Sequence, residues 1–563
     1  MQSLKFNRLL VLSNSQKAAN QFVFSKTRNL ITADDNSVGK STLVKLLFWG
    51  VGCDPSFDST WKSLDCKTLV EFQIGKDIYV IKRHKNFVSL KINDSDYDNY
   101  EKITGDFSIR MADILGFKVR LKSHSGKLET PPPVYYFLPF YIDQKRSWGK
   151  AWDNFENLTQ YSSWKGTIIK YHVGLLSPEY FELEQDHFDK KEEQKEFEVQ
   201  IEKIETALEV VEEYIPKSTI TVSGKYGLDL ISKEIKNDLK KLQMEQEQLL
   251  SELSFCQGEI VYIEQQQIIT KNIIEELDKD YQFAVENISE DEVECPLCGV
   301  VHENTIINRA SILTDKTQAE NQLVTLNNAH NKINKRLKSA NDKLKVAENN
   351  ILEINEKYNF DETKSVNTSE LIESVAGNNI KFKAEIDREE KVISVDSLKS
   401  KIKKIRADQK KLITKEEIEN IKKDFLLLLK RYIENLGAKA INLSEINSPL
   451  DYNKIIKEGG AAEGARAILA YYLTIYKMVE LHGNEVKCTL VIDTPNQQEQ
   501  SNINYANIVN LITKETTEDN QVILCAMEND QLSDFTKNAK VFKLNKNKLL
   551  SDSLYDKVRI EFE

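Results

Sequence analysis

The run Asp34-Asp35-Asn36-Ser37-Val38-Gly39-Lys40-Ser41-Thr42 follows a short apolar stretch, Arg28 to Ala33, and leads into the helix-like LVKLLFWG. Strand, tight loop and helix, with Gly-Lys-Ser at the helix start, is what phosphate binding needs. Backbone N–H groups at the helix N-terminus cradle the anion, Lys40 neutralises it, and the Ser41 hydroxyl ligates Mg²⁺. Asp34 stands where the motif usually has its first glycine, and Asp tolerates unusual turn geometry better than most residues. The plainer alternative is a chance Gly-Lys-Ser on a helix; the flanking strand and helix favour the phosphate loop. Far along the chain a fully apolar strand, Thr489 to Ile492, ends in Asp493. This is the form of a carboxylate strand that helps hold Mg²⁺ through water. Thr494-Pro495 follow where a glutamate is usual, and Gln497, Gln498 and Glu499 are nearby polar groups that could orient an attacking water, Glu499 foremost. Upstream, Gly459-Gly460-Ala461-Ala462-Glu463-Gly464-Ala465-Arg466 feeds an apolar helix. That is a second glycine-rich turn at a helix N-terminus, able to face a nucleotide held by another subunit.

Cys295-Pro296-Leu297-Cys298 has zinc-ligand spacing, but structural zinc takes four ligands, so one chain offers half a site. Two copies would complete a Cys₄ site. His302 is a third local ligand for a closed knuckle within one chain, and a plain turn with two buried thiols is the bland reading. Cys53, Cys66, Cys256, Cys488 and Cys525 are scattered singly, as buried thiols of a reducing compartment are. Two basic stretches could meet a nucleic-acid backbone. Lys118, Arg120, Lys122, His124 and Lys127 lie in one short loop, which reads equally as a solvated hairpin. Lys401, Lys403, Lys404 and Arg406 belong to KSKIKKIRADQKK, where seven of thirteen residues are basic; a solvated helix face explains that stripe as well as DNA does.

These groups need elements to hold them. A chain of 563 residues exceeds a single core, so two or more units are expected. Charged residues make up 29% against 40% hydrophobic, a mix suited to long solvated helices. The net charge of −11 argues against a wholesale nucleic-acid coat. No apolar run is long enough to span a membrane and the N-terminus does not read as a signal peptide, so a soluble, cytoplasmic protein is expected. TLVEFQI, DIYVIKR and VSLKI alternate like antiparallel strands, and Pro131 to Pro133 break any helix before YYFLPFYIDQ. From about residue 179 the chain turns helical and charged. Leu228, Ile235, Leu242 and Leu249 fall seven apart, as do Leu323, His330, Leu337, Leu344 and Ile351, with Leu326, Ile333, Ala340, Ala347 and Ile354 three behind. That double register predicts a coiled coil. Breaks near 214–227 and 358–379 lie at matching distances from the cysteines and predict one joint in an antiparallel pair, whose hook side reaches on the order of 95 Å. Two separate helical bundles would leave the matched breaks unexplained.

In this order, DNSVGKST, FYIDQ, CPLC, GGAAEGAR and LVIDTP resemble the SMC-like, zinc-hook branch of the ABC ATPases, to which SbcC-like double-strand-break-repair ATPases belong. The short arms and the DTPNQQEQ variant look more like SMC-like proteins of bacterial anti-phage and anti-plasmid systems, the Lamassu type in particular. The resemblance implies an α/β ABC-type ATPase head assembled from both chain ends, 1–176 and 437–563. A long antiparallel α-helical coiled coil, 177–292 and 303–436, would join the halves, with a zinc-hook apex at 293–302. It implies ATP held by Asn36, Ser37, Gly39, Lys40, Ser41 and Thr42 of one head and capped by Gly460, Ala462, Glu463 and Gly464 of a second. Mg²⁺ would lie at Ser41, Gln144 and Asp493, with Gln144 as the Mg²⁺-sensing glutamine, and Zn²⁺ at Cys295 and Cys298. Met527 and Glu528 stand where a switch histidine is common, so slow or conditional hydrolysis is expected. Implied partners are a second copy, DNA, a nuclease effector and a small accessory subunit, with no membrane. A repair ATPase tied to a broken-end nuclease, or a nucleotide-switched DNA clamp with little hydrolysis, would use the same parts.

Overall fold

The computed structural model describes residues 2–33, 38–58, 61, 63–124, 126–214, 233–286, 292–294, 301–303, 306–358, 368–438, 441–455, 460–496, 498, 500–517, 519–544 and 549–562. The chain divides into two compact units, Met1–Phe188 with Lys404–Glu563, and Asp189–Lys403.

The first unit contains two sheets. Strands β1 (Leu4–Ser13), β2 (Ala18–Val23), β4 (Cys66–Ile74), β5 (Asp77–His84), β6 (Phe87–Ile92) and β7 (Asp98–Tyr100) form an antiparallel sheet in the order β2-β1-β4-β5-β6-β7. Alternation in the sequence sets its faces. Val70 pairs with Ile81 and Ile81 with Leu90, a buried row across three strands, while Lys82 and Lys91 alternate to the other side. The second sheet is parallel and draws on both chain ends. Its order is β10 (Tyr141–Ile142), β13 (Leu490–Asp493), β14 (Val522–Met527), β3 (Arg28–Ala33), β15 (Ala539–Leu544). Buried on both faces, β13 and β14 read as the unbroken apolar runs LVI and VILCAM.

Helix α1 (Lys40–Gly50) lies between the sheets, touching β4 and β5 on one side and β3, β13 and β14 on the other. Its Phe48 meets Phe6, Phe137, Tyr141 and Phe155 edge-on or tilted. A helix α2 (Asp106–Leu115), a two-rung hairpin of β8 (Leu121–Lys122) and β9 (Leu128–Glu129), and α3 (Trp164–His172) complete the N-terminal part.

The second unit consists of long helices: most of α4 (Pro178–Tyr214), α5 (Lys233–Glu286), α6 (Ile306–Tyr358) and most of α7 (Thr368–Gln409). Cross-helix pairs fix the direction of α5 against α6. Asp278 meets Lys316, Gln267 meets Asn327, Glu264 meets His330, and Glu252 meets Arg336. Numbers fall on one helix as they rise on the other, so the two run antiparallel. Leu249, Leu250 and Leu253 of α5 pack with Leu337, Ala340, Leu344 and Ala347 of α6 and Ile380 of α7. Between α5 and α6, β11 (Glu292–Glu294) pairs with β12 (Val301–Glu303), Val293 opposite His302. This hairpin brackets 295–300; Cys295 and Cys298 lie outside the described residues.

The chain re-enters the first unit at Lys404, inside the segment expected to be arm as far as 436. The reason is α8 (Lys415–Leu436): Ile421, Phe425, Leu429, Tyr432, Ile433 and Leu436 bury one face in the main core against α9 (Ala461–His482). Thr414 and Glu417 cap α8 reciprocally, and Gly437 ends it. Helix α9 is apolar nearly all round and correspondingly buried. Helix α10 (Asn502–Glu515), capped by Ser501, connects β13 to β14. Among the described residues no helix is long and apolar enough to cross a membrane.

Candidate nucleotide and metal site

The C-terminal ends of three adjacent parallel strands and the start of α1 meet in one place. Gly39 caps α1 with φ +98°, a backbone conformation that side chains rarely adopt, so glycine suits the position. Lys40 follows, nine-tenths buried, its Nζ 3.1 Å from Sδ of Met527 at the end of β14. The Ser41 hydroxyl donates to Oε1 of Gln144 at 2.9 Å, and Gln144 lies two residues past β10. Thr42 is half-buried in the same first turn. Asn36 and Ser37, in the loop before Gly39, lie outside the described residues.

Asp493 ends β13 and is fully buried. Its Oδ1 accepts from the Thr494 hydroxyl at 3.0 Å, whereas Oδ2 has no hydrogen-bond partner. Burial pushes this carboxyl up to about 6; the nearby Ser41 and Thr494 hydroxyls oppose the rise and the neighbouring Asp143 adds to it. A buried carboxylate oxygen without a donor, beside a serine hydroxyl and a glutamine carbonyl, is a donor set that fits Mg²⁺, a hard cation with oxygen ligands. Ser41, Gln144 and Asp493 could hold it, and Lys40 with the α1 N-terminus could hold phosphate. Thr494 has φ +57°, an outlier for a β-branched residue and the kind of strain that collects beside functional groups. Of the water-orienting candidates, Gln498 also has positive φ, while Gln497 and Glu499 lie outside the described residues.

The glycine-rich turn is held from behind. Gly460 caps α9, is exposed, and has open space where a Cβ would lie, and Glu463 and Gly464 complete the first turn. The Arg466 guanidinium donates to Gln500 and to the carbonyl of Ala462, while Gln500 Nε2 donates to the same carbonyl at 2.9 Å. Gln500 lies in the segment leaving β13, so Ala462 is tied to the strand that carries Asp493.

The basic candidates fare unequally. Lys118 is ion-paired with Asp113, and Arg120 donates to Thr130 Oγ1 at 2.7 Å. Arg406 pairs with Glu184 at 2.6 Å and with Gln409. Lys122, Lys401, Lys403 and Lys404 are exposed. Among the described residues no group of three His, Cys, Asp or Glu side chains is placed to hold a metal, and the zinc candidates are not among them.

Three participants escaped the sequence reading. Lys45 and Asp143 form a buried ion pair (Nζ–Oδ1 3.5 Å), and the Trp148 indole donates to the Asp493 carbonyl at 3.2 Å. Lys45 lies four residues after Ser41 and Asp143 immediately before Gln144, which were the available signals.

The described parts define a class: an α/β unit with Lys-Ser at a helix N-terminus beside a strand-end carboxylate, together with a unit of antiparallel long helices. No family model matches the chain. It is similar to Lamassu protein LmuB of Bacillus cereus (strain VD014), 24% identical over 94% of this chain and 91% of the relative. It is also similar to Lamassu protein LmuB of Bacillus sp. (strain NCIM 5461 / CCTCC AB 2011126 / NIO-1130), 23% identical over 84% of this chain and 85% of the relative. Likeness over most of both chains supports a Lamassu-type defence protein.

Proposed function

We propose that this chain is the SMC-like, ABC-type ATPase subunit of a bacterial Lamassu-type anti-phage or anti-plasmid complex, and that it engages DNA and controls a partner nuclease effector. The observation that carries the reading is the meeting of Lys40, Ser41, Gln144 and the unpartnered Oδ2 of Asp493 at the strand ends. The likeness to LmuB proteins supports the defence part of the reading. Lys40 and the α1 N-terminus, with Asn36, Ser37, Gly39 and Thr42, would bind the phosphates of ATP; Ser41, Gln144 and Asp493 would hold Mg²⁺, which supplies charge neutralisation at the phosphates. The Gly460–Gly464 turn, exposed at Gly460 and Ala461, would cap the nucleotide of a second copy. Lys122, Lys401, Lys403 and Lys404 are the candidates whose exposure lets them meet a DNA backbone. Zn²⁺ at Cys295 and Cys298 would join two copies, and a small accessory subunit would complete the assembly.

A second reading, a nucleotide-switched clamp that scarcely hydrolyses, is favoured by Thr494 and Met527, which occupy the positions of a catalytic glutamate and a switch histidine. ATP turnover by the purified protein, alone and with linear or closed-circular DNA at equal mass, separates the two. DNA-stimulated turnover that Lys40→Ala abolishes supports the ATPase. ATP-dependent dimerisation without turnover selects the clamp, and no ATP binding by the natural protein rejects both.

A further inference from the structure

We infer that Asp143 is a positioning residue which, through Lys45, locks the loop carrying Gln144 onto helix α1, so that Gln144 and Ser41 are held together as a divalent-cation site. This rests on the nucleotide reading above and assigns a role to two residues which that reading leaves unused.

The geometry is a clamp with two rungs. Ser41 and Lys45 are four residues apart on α1 and share a face. Gln144 and Asp143 are consecutive beyond β10. Ser41 holds Gln144 (2.9 Å) and Lys45 holds Asp143 (3.5 Å), so one helix face grips two adjacent residues of the neighbouring segment. Pairing of Ile142 with Ile492 sets Asp143 alongside Asp493 at the ends of neighbouring parallel strands.

Asp143 holds the loop and leaves ligation to others. Its Oδ1 accepts from the Tyr141 hydroxyl at 2.9 Å and faces Lys45. Its Oδ2 accepts from the backbone N–H groups of Lys145 (2.9 Å) and Arg146 (3.1 Å), and its own N–H donates to Ser147 Oγ at 2.8 Å. The carboxylate is therefore fully engaged, in contrast to Asp493 with its unpartnered Oδ2. Lys45 adds a bond to the Ser56 carbonyl at 2.8 Å, tying in the segment that follows α1. Both side chains are buried, Lys45 7% and Asp143 2% exposed. A buried ion pair is not in itself a source of stability, since well-packed apolar residues often replace one without loss. What they would not do is set the register of Gln144 against Ser41, or offset the charge of a second carboxylate beside Asp493.

The test is a Mg²⁺ titration of the full chain with ATP present, read by the fluorescence of Trp148, whose indole touches the Asp493 carbonyl; Trp148→Phe identifies its share of the signal. ATP binding in EDTA and melting temperature are measured alongside. Asp143→Asn and Lys45→Met are expected to raise the Mg²⁺ concentration at half-saturation by about tenfold or more. ATP binding without Mg²⁺ should stay within about twofold of the natural protein. Because both act through Gln144, Asp143→Asn combined with Gln144→Ala should be no worse than Gln144→Ala alone. The double variant Lys45→Met/Asp143→Leu removes both charges without stranding either, and should show the same Mg²⁺ defect if a single substitution prevents folding. A lower melting temperature with unchanged Mg²⁺ dependence would overturn the inference, leaving a packing role only. Multiplicative losses with Gln144→Ala would overturn it too. Failure of the natural protein itself to bind ATP is a separate outcome, seen before any variant, and removes the nucleotide reading together with this one.

Discussion

Lys487 keeps its charge in a nearly closed site because Glu480 lies against its ammonium and the ring of Tyr476 faces it at 3.8 Å. Burial pushes the ammonium down to about 8 against the pull of Glu480. Burial also pushes the Glu480 carboxyl up, but hydrogen bonds from Lys477 and Lys487 outweigh it and hold the group down at about 2, below its ordinary 4.5. A carboxylate depressed in the folded state contributes stability that is fully present above its unfolded value and is lost as pH falls toward the folded one. Glu480→Gln should therefore melt below the natural protein at pH 6 to 8, because Lys487 is left without its counter-charge. The gap should close as pH falls from about 4.5 toward 2. Paired thermal melts across that range check this, and a gap that does not change with pH would show that Glu480 stabilises by packing instead.

Helix α1 carries Lys40, Ser41 and Lys45, so the site depends on how closely it seats between the sheets. Gly50 sets that distance at the far end of the helix. A Cβ there would collide with Cγ2 of Val70 and come within 3.0 Å of Thr68 Oγ1, both on stiff β-branched side chains of β4. Gly50→Ala should destabilise the fold by ~1–3 kcal/mol, and Val70→Ala in the same chain should restore much of the loss; denaturant titration measures both. An unaltered midpoint for Gly50→Ala would mean that α1 has room to move. Much at this scale is legible in the sequence. Alternation in 66–92 marks the strands of one sheet, and Ala33 to Lys40 marks a turn from strand to helix, since both signals are local. The Lys45–Asp143 pair was not legible, because the pairing of β10 with β13 that brings Asp143 beside Asp493 joins segments about 350 residues apart. Nor was the fate of α8. Its apolar spacing suits an arm or a core equally, and only the neighbouring α9 decides which face is covered.

At the scale of the whole molecule the cores are separate. A large hydrophobic cluster and a smaller one around Leu10, Leu12 and Leu69 lie in the first unit, and another joins α5, α6 and α7 in the second. The hairpin of β11 and β12 belongs to the second unit, and Asp493 to the core of the first. If Cys295 and Cys298 of two chains share one zinc ion, the protein should carry about half an ion per chain, and its mass in solution should include a dimer. Changing both cysteines to Ser should remove the metal and that dimer together while leaving ATP binding by the first unit in place, as metal analysis, light scattering and nucleotide titration would show. His302→Ala separates the two ways of completing the site. Zinc and dimer retained in that variant fit four cysteines from two chains, whereas zinc lost there too fits a knuckle closed within one chain. Zinc content and dimer unaffected by the double serine variant would remove the hook from the proposal.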